Sequence, residues 1–269
     1  MNKNSIKLVE NQLKSKKLFI GSKICYFDNT PSTMTVAKET ATQGCQDGTV
    51  IIASSQTAGR GRLGRTWSSP NGGLWMSLIV RPAISTHLIP IITLAAGVCV
   101  CKTIQKLYHI TSGLKWPNDV VINGKKVCGI LTEGSINANT INYAVVGIGV
   151  NLNFSNDLLP HELKERSTTL LHETNLHIKP EQFLLELLIE INGMYGKLSN
   201  DISEIKNQWK KYSITIGKEV NAIYNSEVIY GIAKDITLEG NLVITLESGE
   251  EISVCSGEVT LRGNNNSYV

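Results

Sequence analysis

Residues 54–75 read SSQTAGRGRLGRTWSSPNGGLW, and the rest of the chain is arranged around them. From Gly59 to Arg65 small and cationic residues alternate: Gly59, Arg60, Gly61, Arg62, Leu63, Gly64, Arg65. Glycine lets a backbone take positive φ and approach a ligand closely. Arginine presents a fixed fork of donors to a carboxylate or phosphate. The runs on either side, TVIIASS at 49–55 and LWMSLIVR at 74–81, have the length and branching of β-strands. A glycine-rich basic loop between two core strands reads as a lid over an anion. Its glycines lose much entropy on ordering, so the lid is expected to be mobile when empty. It is not a P-loop, because no Gly-Lys-Ser/Thr follows the glycines. It is not a dinucleotide fingerprint either, because the glycines do not open a helix. On this stretch alone a basic loop that contacts RNA or a membrane surface fits as well.

Composition narrows the field. The chain has 269 residues, enough for one large domain or two. With 26 basic and 23 acidic residues the net charge is only +3, too mild for nucleic acid to be the main partner. The six cysteines, Cys25, Cys45, Cys99, Cys101, Cys128 and Cys255, include no C-x-x-C pair and read as reduced thiols of a cytoplasmic protein. The five histidines form no H-E-x-x-H, so no protein metal site is expected. The N-terminus is polar and Lys-rich, unlike a secretory signal. The most apolar run, 88–101, is interrupted by Pro90 and Thr93 and reads as a buried helix, with no membrane partner.

Along the chain, residues 1–20 are polar with a weak helical period at Ile6, Leu8, Val9 and Leu13. A strand is expected at 24–28 and a helix at 33–42, with Ser32 as its N-cap and Gly44 closing it. A buried helix spans 88–108 and a short strand 113–116. Asn123-Gly124 is a strong hairpin turn between Asp119–Ile122 and a return strand at 126–133. Gly129 within that strand suggests close approach by a ligand. Alternation puts Lys125 and Lys126 on opposite faces. A further strand at 141–150 ends at Asn151; residues 153–178 read as irregular, and helices follow at 180–197 and 201–212. Beyond residue 213, short alternating segments punctuated by Gly217, Gly231, Gly240, Gly249 and Gly257 suggest a small β-barrel. The Asn264–Asn266 tail is polar.

Taken together, GRGRLGRTW (59–67), KWPND (115–119), GKKVCGILTEG (124–134) and the closing SGEVTLR (256–262) resemble the biotin protein ligase family, over about Phe27 to Gly263. The resemblance implies an α+β fold. A mixed β-sheet with helices would form a catalytic domain at 1–212, and a small SH3-like β-barrel would occupy 213–269. It implies activation of biotin by ATP as biotinyl-5′-AMP, with Mg²⁺, and transfer to a lysine of the biotin carboxyl-carrier protein; a homodimer is left open. Some members carry an N-terminal DNA-binding domain. Residues 1–20 are too few to fold as one, so the short form and no specific DNA partner are expected.

Carried over residue by residue, the resemblance puts Ser32, Thr33, Met34, Gln56, Gly59, Arg60, Gly61, Arg62, Lys126 and Gly129 around biotin. Arg60, Arg62, Arg65, Trp67, Lys115, Asn118 and Asn151 fall around the nucleotide. Arg60, Arg62, Lys126 and Asp119 are the candidate catalytic residues. Many members have Asn where Met34 stands, so Met34 is assigned no polar contact. Ser32 and Thr33 also read as plain helix caps, Gln56 as a loop amide, Trp67 as a packed core residue, Asn151 as a strand-end turn residue, and Asp119 as a turn cap. A lipoate or octanoyl ligase shares the architecture, and a non-enzymatic Arg-loop RNA-binding module is the alternative from a different class.

Overall fold

The structure, a computed structural model, describes residues 1–224, 227–255 and 258–261. The larger part is a seven-stranded mixed sheet. Its strands are β1 (Ile24–Thr30), β2 (Val50–Gln56), β3 (Leu74–Val80), β4 (Gly113–Lys115), β5 (Asp119–Ile122), β6 (Lys125–Asn137) and β7 (Thr140–Val150). The order across the sheet is β1-β2-β3-β7-β6-β5-β4, and only β1 and β2 are parallel. A parallel pair needs a crossover, and the second helix supplies it. The helices are α1 (Lys3–Ser15), α2 (Thr33–Thr42), α3 (Ile89–Tyr108), α4 (His161–Lys164), α5 (Leu170–Thr174), α6 (Pro180–Asn200) and α7 (Ile202–Tyr212).

The two faces of the sheet do different work. On one, Val50, Ile52, Leu74, Met76, Leu78, Ala144, Val146, Ile148 and Val150 join the main core with α1, α3, α6 and α7. On the other, Ile51, Ile79 and Val145 pack under α2 with Met34, Ala37 and Ala41. The period of two in a strand separates these sets. It also gives Gly129, Leu131, Glu133, Gly147 and Gly149 to the α2 face, which is the face that carries the cavity. α3 is long and apolar enough to cross a membrane, but it lies largely buried between the sheet and α6 and α7.

Several expectations shift. Within residues 1–20 the weak helical period becomes a full helix, α1 over Lys3–Ser15. Asn2 and Ser5 form a capping box at the start of α1. Ile6, Val9 and Leu13 are buried, each burial worth roughly 1.5–3 kcal/mol, while Leu8 points outward at 64% exposure. The hairpin of β6 and β7 is longer than the apolar pattern suggested, because Ala138 and Asn139 turn it at positive φ well beyond the core. The stretch 153–178 is not irregular throughout: it holds α4, α5 and a single 3₁₀ turn at Asn156–Leu158. A bulge interrupts β6, where Val120 pairs with Cys128 but Val121 with Lys126. Val127 is the extra residue, so Val127 and Cys128 are both buried and strict alternation fails.

After α7 come β8 (Glu219–Tyr224), β9 (Glu227–Ile236), β10 (Leu242–Thr245), β11 (Glu251–Val254) and β12 (Glu258–Leu261). They form one antiparallel sheet in the order β11-β10-β9-β8-β12. The expected barrel is not confirmed: β11 and β12 stand at the two ends of this order, and no ladder joins them among the described residues. Gly257 and the 264–266 tail lie outside the described residues. This small sheet is packed onto the large part. Trp116 donates its indole N–H to the Gly240 carbonyl at 3.0 Å, and its backbone N–H to Thr215 Oγ1 at 2.9 Å.

Candidate active site

A cavity of about 410 Å³ opens on the α2 face of the large sheet. Fourteen of the sixteen residues singled out from the sequence line it: Thr33, Met34, Gln56, Arg60, Gly61, Arg62, Arg65, Trp67, Lys115, Asn118, Asp119, Lys126, Gly129 and Asn151. Ser32 and Gly59 adjoin these residues in sequence and are not among the lining ones. A side chain on Gly59 would put its Cβ 2.3 Å from the Trp67 carbonyl, so glycine there lets the root of the lid close.

The lid is a short hairpin. Gly61 N donates to Arg65 O at 2.7 Å and Trp67 N to Gly59 O at 2.9 Å. At its tip Leu63 takes φ 54°, a conformation that strains a branched residue, and its side chain is 73% exposed. Below the tip, Ala58 N binds the Pro31 carbonyl at 2.8 Å and fixes the lid's root to the start of α2.

The neutral polar groups of the cavity come from α2, β2 and β3. Ser32 occupies the N-cap position of α2, yet its side chain makes no capping bond. Gln56 does that work instead: its Oε1 accepts from the Thr33 backbone at 2.8 Å and from the Thr33 hydroxyl at 3.0 Å. The Gln56 amide then donates to Ser69 Oγ at 2.7 Å, and Ser77 donates to Thr33 Oγ1 at 2.8 Å. The Ser32 hydroxyl is left buried without a partner. Such a group costs free energy unless something satisfies it.

Gly129 lines the cavity, and Trp67 packs against it there. A Cβ on Gly129 would meet the Trp67 ring at 2.7 Å, and one on Gly149 would meet its Nε1 at 2.5 Å. These glycines face each other across β6 and β7 and form a slot for the indole. Trp67 also meets Trp75 edge to face at 6.5 Å, and its Nε1 is buried without a partner. Gly147 likewise clears room for Met34, whose Sδ would lie 2.6 Å from a Cβ there. Met34 is therefore an apolar wall residue, buried with Ala37 and Ile51.

The cations gather from distant segments. Lys126 Nζ lies 2.6 Å from Asp119 Oδ1 and 4.9 Å from the Trp67 ring centroid. Lys126 lines the cavity and Lys125 is not among the lining residues. Burial pushes the Lys115 ammonium below its ordinary range; Asp119 opposes this, and Lys126 and Arg166 add to it. Burial, with Lys126 and Arg166 nearby, makes the charged form of Lys115 costlier, and an anion beside it would relieve that cost. Arg62 donates to Asn118 Oδ1 at 3.3 Å, which ties the lid to the KWPND turn. Asn151, expected at the nucleotide, gives its side-chain amide to the Thr168 carbonyl at 2.9 Å.

Residues 26–151 match the Biotin/lipoate A/B protein ligase family and residues 215–262 the Biotin protein ligase C terminal domain. The chain is 36% identical over 247 residues to the Bifunctional ligase/repressor BirA of Bacillus spizizenii, spanning 90% of this chain and 76% of the relative. The chain belongs to the biotin protein ligase family. The ligase is also 30% identical over 222 residues to the Biotin--[acetyl-CoA-carboxylase] ligase of Mycobacterium tuberculosis, 79% of each chain. Its fold matches the biotin protein ligase from Aquifex aeolicus in complex with biotin and ATP at a TM-score of 0.77 and 31% identity, over 89% of this chain and 98% of that one.

Sequence reasoning missed some lining residues of the ligase. Arg166, Ser167, Leu159 and Leu163 all come from the stretch read as irregular. Residues 166–168 run beside the start of β6, where Lys126 N binds the Arg166 carbonyl at 2.8 Å and Thr168 N binds the Lys126 carbonyl at 2.9 Å. No local signal marks this pairing. Val259 of β12 also lines the cavity, so the small sheet contributes to the wall. Among the described residues no cluster of three His, Cys, Asp or Glu could hold a metal. Asp119 is the one carboxylate among the lining residues, and Lys126 holds it. The side chains present thus do not fit a resident Mg²⁺.

Proposed function

We propose that this ligase activates biotin on ATP and passes it to a lysine of a biotin carboxyl-carrier protein, in two steps. In the first, a carboxylate oxygen of biotin attacks the α-phosphorus. The bond from that phosphorus to the bridging oxygen breaks, and pyrophosphate leaves. Both reactants are anions, so the obstacle is repulsion and alignment, which fixed cations reduce. Lys126, Arg60 and Arg62 clamp the meeting anions, with Lys115, Arg65 and Arg166 beside the phosphates. Ser32, Thr33 and Gln56 meet the neutral ureido ring with short donors and acceptors. Trp67 packs against the nucleotide. Magnesium arrives on the triphosphate as part of the substrate.

In the second step a neutral acceptor amine attacks the acyl carbon, AMP leaves, and the amine sheds a proton. Asp119 is released from Lys126 when the ammonium turns to the adenylate, and it then orients the incoming amine. The observation that supports this reading is the gathering of Lys126, Lys115, Arg166 and the lid arginines on one cavity, against a single lining carboxylate among the described residues, Asp119, which is paired with Lys126. The test is ATP–pyrophosphate exchange, followed by transfer to a purified carrier domain. Exchange stimulated by biotin, and not by lipoate or octanoate, supports it; stimulation by the fatty acids instead refutes the choice of acid.

A further inference from the structure

We propose that Glu133 is the latch of the lid, a positioning residue that holds Arg60 in place over the cavity. Glu133 lies on β6, paired in register with Val145 of β7, so its backbone is fixed by the ladder. Its side chain reaches two elements at once. One carboxylate oxygen takes Arg60 Nη2 at 3.0 Å; the other lies 2.7 Å from Lys38 Nζ on α2. Arg60 lines the cavity and Glu133 does not. Glu133 therefore acts through Arg60 rather than on a ligand.

The consequence follows from chain connectivity. The lid is rooted at Ala58 and closed on itself at Gly59 and Trp67. Among its contacts with the rest of the fold, the bond to Glu133 ties it to β6, and the Arg62 bond to Asn118 ties it to the turn before β5. A planar guanidinium held along one edge by a carboxylate is pre-oriented, so less freedom is lost when a second anion meets another edge. Lys38 in turn holds the second oxygen and joins the same carboxylate to α2, whose first residues Thr33 and Met34 line the cavity. Glu133 thus couples lid closure to the wall that meets the ring. The effect is modest in size, because the Arg60 and Glu133 side chains are 43% and 27% exposed.

The mechanistic part of this inference rests on the proposed ligase reading, but its first test does not. In the full-length protein without any ligand, Glu133→Gln is expected to speed tryptic cleavage at Arg60, Arg62 and Arg65 by about two- to fivefold, the loss expected for a partly exposed ion pair. The difference should narrow as salt is raised, since screening already weakens the pair in the parent protein. Lys38→Ala, which leaves the Arg60 bond intact, should be cleaved at the parent rate. An unchanged cleavage rate in Glu133→Gln overturns the latch. The second test reads biotinylation of a bystander protein by the holoenzyme with biotin and ATP. Glu133→Gln should raise bystander labelling and the KM for biotin, with kcat changed less. Faster cleavage with no change in labelling upholds the latch and refutes the role given to Arg60 in holding the adenylate.

Discussion

At the residue scale, the cavity sets opposite charges side by side: Lys126 Nζ lies 2.6 Å from Asp119 Oδ1. Lys126→Ala should reduce biotin-dependent pyrophosphate exchange by about a hundredfold or more, the usual cost of removing a fixed charge from a charge-stabilising site. Lys125→Ala should change it less than about twofold. Equal losses in both would show that the bulge at Val127 turns the wrong lysine inward. A second residue-scale prediction concerns the glycine slot. In Gly149→Ala the new methyl group would lie 2.5 Å from Trp67 Nε1, and the indole must leave. The strain of such overpacking is about 1–3 kcal/mol. Tryptophan emission should shift to the red and nucleotide binding should weaken, while the unfolding midpoint changes little, because the displaced group belongs to the lid. An unshifted emission spectrum would mean that the indole does not rest in the slot.

At the scale of elements, α7 holds the small sheet by charge as well as by packing. Lys206 Nζ lies 2.9 Å from one oxygen of Asp235 on β9, and Lys210 Nζ 3.1 Å from the other. Burial pushes the Asp235 carboxyl up, but hydrogen bonds from Lys206, from the Ile236 backbone and from Lys210 outweigh it, and the group titrates below its ordinary 3.8. A carboxyl lowered in the folded state lends stability that is complete above the unfolded value. That stability is lost as pH falls through the folded value. The seam between α7 and β9 should therefore loosen below about pH 4, and Asp235→Asn should flatten the loss. Hydrogen exchange in β8 and β9, followed from pH 6 to pH 3, reads this directly. A steeper acid response in Asp235→Asn than in the parent would contradict it.

At the scale of the whole molecule, the two sheets share a core. Val220, Ala222, Ala233, Ile236, Leu242, Ile244 and Val254 of the small sheet belong to one buried cluster with α3 and the large sheet. Gly240 sits against Leu94 and Pro90 of α3 while its carbonyl takes the Trp116 indole. Domains joined by so apolar a seam unfold together. Calorimetry should show one transition whose calorimetric and van't Hoff enthalpies agree. Cutting the chain near residue 213 should expose Trp116 and the end of α3 and yield an insoluble larger fragment. Two separate transitions would show that the seam is only a contact between independent units.

The sequence by itself determined what local rules govern. Asn123-Gly124 turns its hairpin at positive φ in both residues, as the pair demands. α2 runs over Thr33–Thr42 and Gly44 closes it at φ 80°, as the apolar spacing and the glycine required. The alternating glycines and arginines of 59–65 are local too, and they read as a loop for an anion. Tertiary structure decided the rest, because it depends on register and on partners far along the chain. Ser32 looks like a cap, but it is Gln56 that reaches the Thr33 N–H, 23 residues along the chain from Thr33. Arg166 enters the site only because its backbone lies beside Lys126, some 40 residues away in sequence. Gly129 was legible as a close approach, but the group that approaches is an indole carried by the lid. A bulge at Val127 of β6 leaves Val127 and Cys128 both buried, because a single extra residue moves every later side chain to the other face.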